Sequence, residues 1–122
     1  MLNTYYHGAD GDKILSIIDS GQMLPDARGE LFFSQYTPDS CFMHGADRKR
    51  RASFVIKVAA DIPEGVAVKR VETPGVRDTV IVRTADPIRV QVLELLVRRI
   101  EDGVGRLERV SGAHTIRGYL LR

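Results

Sequence analysis

The stretch Tyr5-Tyr6-His7-Gly8-Ala9-Asp10-Gly11-Asp12-Lys13-Ile14-Leu15-Ser16-Ile17-Ile18 sets the fold class. It opens aromatic and β-prone from Leu2 to Tyr6, then switches at His7-Gly8 to apolar residues with helical spacing. Asp12 reads as the helix N-cap and Gly21 as its stop signal. Met23-Leu24-Pro25 starts a loop that closes at Gly29. Leu31-Phe32-Phe33-Ser34 reads as a buried strand, and Thr37-Pro38-Asp39-Ser40 as the start of a helix over 38–48.

From there the chain is mostly strand. Ser53 to Val58, Val66 to Val71 and Thr79 to Val82 are apolar or alternating, with a turn signal at Glu72-Thr73-Pro74-Gly75. Ile88 to Leu96 is read as a long final strand. Val92, Leu95, Leu96 and Arg99 also have helical spacing, but β-branched content favours the strand. Residues 101–122 are broken by glycine, with Thr115 to Leu121 as a candidate last strand. Strand, helix, strand, helix and then strands is not the alternation of a doubly wound sheet. The expected class is α+β, with two small packed β-sheets and a few short helices, in a single domain over 1–122.

Composition narrows the chemistry. The 122 residues are 43% hydrophobic and 28% charged, which suits a globular chain. No apolar run approaches the roughly 20 residues of a membrane span, and the first residues lack the pattern of a signal peptide. One cysteine, Cys41, excludes an intrachain disulfide; with three histidines it cannot fill a Cys/His zinc site, so no metal is expected. P-loop, dinucleotide-fingerprint and zincin motifs are absent. The net charge is only +2, yet 14 of the 18 basic residues are arginine, whose fork suits phosphate.

Three segments have chemical potential. His7-Gly8 ends a strand, where a ring and a backbone amide are exposed together. Gly29-Glu30-Leu31-Phe32-Phe33-Ser34, with Phe42 beyond it, offers aromatic faces to a flat ring. Pro74 to Val82 carries Asp78 immediately before an apolar strand. Each alone is ordinary: a capping histidine, core aromatics, a turn acid. A fourth, Arg48-Lys49-Arg50-Arg51, reads either as a solvated helix end or as a phosphate clamp. His44-Gly45 repeats the first dipeptide and is read as structural, as is Cys41.

In order and spacing, the first three segments over residues 4–98 resemble the ADP-ribosyltransferase superfamily. That pattern is His-Gly on the first strand, a tyrosine on a Gly-x-Tyr-Phe-Ala/Ser/Thr strand, and an acid entering a late strand. His7-Gly8 matches the first element, and Gly21-Gln22-Met23-Leu24-Pro25 follows as in such domains. Phe32 stands where tyrosine is usual, and the segment from Asp78 to Val90 matches the third element. The resemblance extends to rifampin-modifying enzymes and poly(ADP-ribose) polymerases.

The resemblance implies an ADP-ribosyltransferase-like fold and an NAD-dependent mono-ADP-ribosyltransferase that releases nicotinamide. It implies roles for His7 on a ribose hydroxyl, Gly8 on the carboxamide, Phe32 stacking on nicotinamide, and Asp78 favouring the oxocarbenium-like transition state. Thr79 or Glu72 is the fallback for the acid. Tyr6, Gly8, Ser34, Phe42, Arg48 and Arg51 are the implied NAD contacts. The implied partners are NAD, an acceptor protein or RNA, and no membrane. The small size resembles the cargo domains of bacterial polymorphic toxins, which would add a cognate immunity protein and a secreted route to a cytoplasmic site of action. Three rivals stand beside this reading, one of them a purely structural domain. The segment from His44 to Val58 also resembles the NAD-using RNA 2′-phosphotransferases, and a non-catalytic nucleotide- or RNA-binding module would explain Phe32 in place of tyrosine.

Overall fold

The computed structural model describes residues 2–73, 77–101 and 104–122. Its elements in chain order are β1 (Leu2–Gly8), α1 (Gly11–Ser20), β2 (Gln22–Met23), β3 (Glu30–Ser34), a 3-10 helix (Asp39–His44), β4 (Ala46–Asp47), β5 (Ala52–Asp61), β6 (Ala67–Thr73), β7 (Arg77–Arg83), β8 (Ile88–Glu101), β9 (Val104–Ser111) and α2 (Ala113–Leu120). The chain is therefore α+β, mostly antiparallel sheet with a few short helices. Pro74, Gly75 and Val76, part of the sequence-read turn and of the third segment, lie outside the described residues.

The strands run β2-β8-β5-β1-β3-β7-β6, with β4 on β5 and β9 on β8, and every pairing is antiparallel. The expected pair of packed sheets is replaced by this one hydrogen-bonded path. It is nearly divided all the same. β1 shares seven register pairs with β5 but one, Tyr6↔Ser34, with β3. A larger group (β1, β2, β4, β5, β8, β9) thus meets a smaller one (β3, β6, β7) along a seam at β1/β3.

Alternation assigns the faces. Tyr5, Leu31, Phe33, Phe54, Ile56, Val80, Val82, Leu95 and Val97 point one way and form a single core drawn from both groups, covered by Ile14 and Ile17 of α1 and Ile116 and Leu120 of α2. That shared core is why the two groups do not pack as separate layers. On the other face Val55 and Leu96 support Cys41 and Phe42 of the 3-10 helix, with Tyr6 against them.

Four local expectations are corrected. The N-cap of α1 is Asp10, whose carboxylate accepts from the Lys13 amide, so the helix starts at Gly11, before Asp12; Gly21 closes it at φ 68°. The helix over 38–48 is a 3-10 helix followed by β4, because Gly45 leaves helical geometry and its carbonyl accepts from the Phe54 amide. The final strand is longer than expected, and it turns back as β9. Thr115 to Leu121 falls largely in α2, where the i, i+4 spacing of Ile116 and Leu120 decides over β-branched content. β2 escaped notice because two residues carry no periodicity; its pairing with Arg89 and Ile88 defines it.

Candidate functional site

The seam gathers most of the sequence-read residues. His7 lies near its end, half-buried, and its Nδ1 is 2.8 Å from the Phe32 carbonyl. A carbonyl only accepts, so Nδ1 carries the proton, and in the neutral ring Nε2 keeps its lone pair. Burial pushes the His7 imidazole below its ordinary value. The Phe32 carbonyl acts the other way, while the charges of Lys13 and His44 add to the lowering. The ring is thus neutral at pH 7, with one nitrogen locked across the seam and the other able to accept.

This has a pH consequence. A histidine whose folded pKa is depressed binds its proton more readily unfolded. Its contribution is whole above the unfolded value of about 6.5 and is lost as pH falls below it toward the lower folded value. His7→Asn keeps a donor near the Nδ1 position and removes the titration. Chemical denaturation at several pH values is expected to show the variant losing less stability than the wild type as pH falls from neutral. Parallel curves would show that the His7 ring is not buried as described.

Phe32 is placed differently from expectation. Its neighbour Phe33 faces the core and is the ring His7 meets, at 5.8 Å between centroids and 58° between planes. Alternation turns Phe32 to the opposite face, where it is 45% exposed, a large aromatic open to a ligand. His7 and Phe32 therefore meet through side chain and backbone, not ring against ring.

Asp78 stands at the start of β7, and its carboxylate accepts from the amides of Tyr36, by a short contact, and Thr37, at 3.3 Å. It fastens the loop leaving β3. Glu72 is its cross-strand partner on β6 and is exposed; Thr79 pairs with Ser34.

The remaining candidates divide by burial. Tyr6 is half-buried against Cys41, Phe42, Val55 and Leu96. Gly8 has no room for a side chain, since a Cβ there would sit 2.0 Å from the Cys41 carbonyl oxygen. Ser34 and Phe42 are not presented to a ligand. Ser34 is buried and its hydroxyl lies 3.3 Å from both Ser40 Oγ and Cys41 Sγ. Phe42 is buried with the Arg98 guanidinium 4.2 Å from its ring centroid. Burial also pushes the Cys41 thiol up; the Ser34 and Ser40 contacts oppose this and the Asp78 charge adds to it. It is a protonated packing residue, as read.

Arg48 and Arg51 do not end a helix. The run 48–51 is the tip of the β4–β5 hairpin, with Arg51 in the left-handed region at φ 54°. Arg48, Lys49 and Arg51 are exposed, while Arg50 turns inward. Arg50 is the member the sequence did not single out; Asp47, three residues before it, was the local signal, while Asp12 reaches it from 38 residues away. Its guanidinium bonds Asp47 at 2.9 Å and Asp12 at 3.0 Å, and its Nε donates to the Leu120 carbonyl at 3.0 Å.

Among the described residues, no cluster of histidine, cysteine and acids could hold a metal, and no helix is long and apolar enough to cross a membrane. Comparison of the chain with protein-family models, curated proteins and solved structures finds no match.

Proposed function

We propose that the protein is an NAD-dependent mono-ADP-ribosyltransferase acting on a macromolecular acceptor, protein or RNA. The observation that carries this reading is the β1/β3 seam. A neutral histidine is locked there by the Phe32 carbonyl and followed by a glycine. In this reading His7 Nε2 accepts from a ribose hydroxyl and the backbone at Gly8 meets the carboxamide, while Phe32, on the opposite face from the His7 ring, is left out of the nicotinamide contact. Tyr6 supports the floor. The bond from ribose C1′ to the nicotinamide nitrogen breaks and its electron pair stays with nicotinamide. The acceptor nucleophile then forms its bond to C1′ and releases a proton to solvent. A carboxylate near C1′ would stabilise the positive charge developing there. Asp78 serves if the Tyr36–Thr37 loop yields it; exposed Glu72, opposite it, is the second carboxylate of the same strand pair. As a toxin cargo domain it would act in the cytoplasm and be held by an immunity protein.

The test is nicotinamide release from NAD by the purified protein, alone and with total RNA or cell lysate. It is run beside His7→Ala, Asp78→Asn and Glu72→Gln. Release is expected, with a fall of about 10²–10³-fold in whichever carboxylate variant removes the charge at C1′. One specific observation favours a second reading: the Asp78 carboxylate is already held by two amides. NAD binding without release would establish that reading, a non-catalytic nucleotide-binding module. Absence of both binding and release would overturn the proposal.

A further inference from the structure

A recess of about 380 Å³ opens between the β4–β5 hairpin, β8, β9 and α2. Lys49, Arg50, Arg99 and Arg122 line it, with Tyr119, and among the described residues Glu108 is the one acid in its lining. The Arg99 and Arg122 guanidinium carbons lie 5.9 and 5.4 Å from the Tyr119 ring centroid, and Arg99 also donates to the Tyr119 hydroxyl at 2.8 Å. The ring thus gathers two cations at the wall. The carbonyl end of α2 would repel an anion, but Arg50 Nε covers it at Leu120.

The charge balance of this corner is uneven. The recess and the hairpin tip hold six cations, Arg48, Lys49, Arg50, Arg51, Arg99 and Arg122. Among the described residues, Asp12, Asp47 and Glu108 are the acids that line the recess or pair with these. Arg48, Arg51 and Arg122 form no ion pair among the described residues, and Lys49 reaches only exposed Asp12, at 3.8 Å. Cations spread over a hairpin, a strand and a helix end match a chain of phosphates better than a single one. The Tyr119 hydroxyl already donates to Glu108 at 3.2 Å, so arginine and lysine are the phosphate donors of this corner.

We infer that this recess and the hairpin tip bind the phosphodiester backbone of a nucleic-acid strand. The site is distinct from the seam but close to it. Asp12, bonded by Arg50, lies four residues after Gly8, so at most about 14 Å of chain separates them. A strand held here passes near the seam, and its binding requires no NAD chemistry.

The test is fluorescence anisotropy with labelled single-stranded RNA and DNA of one sequence, about 12 nucleotides long, across a salt series. The wild type is expected to bind with an affinity that falls steeply with salt. The triple variant Arg48→Glu/Lys49→Glu/Arg51→Glu leaves Arg50 in place. It is expected to weaken binding about tenfold or more and to flatten the salt slope by about 0.7 for each phosphate that is no longer neutralised. Arg122→Glu, a single exposed change, should lower affinity in the same direction. The triple variant Arg28→Glu/Lys69→Glu/Arg89→Glu makes the same charge change at exposed positions elsewhere and should retain most of the affinity. Equal binding of RNA and DNA would assign recognition to the phosphates alone, and a preference for RNA would add the 2′-hydroxyl. Equal weakening by the two triple variants, or no salt-dependent binding of either strand, would overturn the inference. Binding only to anionic lipid vesicles would do so too. Nicotinamide release is not read in this assay, so its failure and that of the transferase reading are separable.

Discussion

Gly45→Ala is expected to cost about 3 kcal/mol or more of folding stability, a large part of what a domain has. The cause is space. Gly45 has φ −108°, open to any residue, but a Cβ there would lie 1.8 Å from the Phe54 carbonyl oxygen and 2.8 Å from its carbon. Phe54 cannot retreat. It is fully buried in β5, paired with Val97 on β8, and its amide donates to Gly45 O at 2.8 Å. Gly8 makes the corresponding approach to the Cys41 carbonyl, so the 3-10 helix is held against the sheet at both glycines. Urea unfolding monitored by circular dichroism checks this. Gly118→Ala is the control. It lies inside α2 with nothing within 4 Å, and should gain about 0.5–1 kcal/mol from helix propensity. Wild-type stability in Gly45→Ala would refute the close approach.

Arg50→Ala is expected to cost about 3 kcal/mol, because it strips a buried carboxylate of its counter-charge. Asp47 is 6% exposed, and it accepts from the amides of Gly11 at 2.7 Å and Arg50 at 2.9 Å as well as from the Arg50 guanidinium. Burial, the largest influence, pushes the Asp47 carboxyl up. The two amides and the guanidinium outweigh it and hold it below the ordinary value. A depressed carboxylate contributes stability above its unfolded pKa, near 3.8, and loses it as pH falls through the folded value. Arg50→Ala should therefore also move the acid-unfolding midpoint to higher pH. Asp12→Ala removes the exposed partner of the same guanidinium and should cost less than about 1 kcal/mol. Equal effects of the two changes would show that the buried pair is not the source.

The strands were legible where apolar residues repeat over several positions. β1, β3, β5 and β7 each announce themselves by alternation or by an unbroken apolar run, and α1 by its spacing and Gly21. What the sequence concealed depends on partners distant along the chain. Whether 38–48 continues as a helix is decided by the Phe54 carbonyl nine residues beyond Gly45, and no local propensity reports that. Thr115 and Ile116 favour strand locally, yet the core over α1 and β8 takes Ile116 and Leu120 from one helical face. In the candidate site, His7 and Gly8 were legible as a strand end. The allotment of Phe32 to solvent and Phe33 to the core follows from alternation once the strand boundaries are fixed. The engagement of Asp78 with Tyr36 and Thr37 was not legible, because it joins segments some 40 residues apart.

The chain's itinerary across the seam compensates for its single ladder pair, Tyr6↔Ser34. In sequence order it visits the larger strand group with β1 and β2, the smaller with β3, the larger with β4 and β5, the smaller with β6 and β7, and the larger again with β8 and β9. The polypeptide itself therefore laces the two groups together with four stitches. No contiguous fragment contains one group complete without strands of the other, so neither half can be excised or acquired as a cassette. The division is inseparable from the whole, and a cut in any one connecting loop leaves three covalent ties to keep the halves in register.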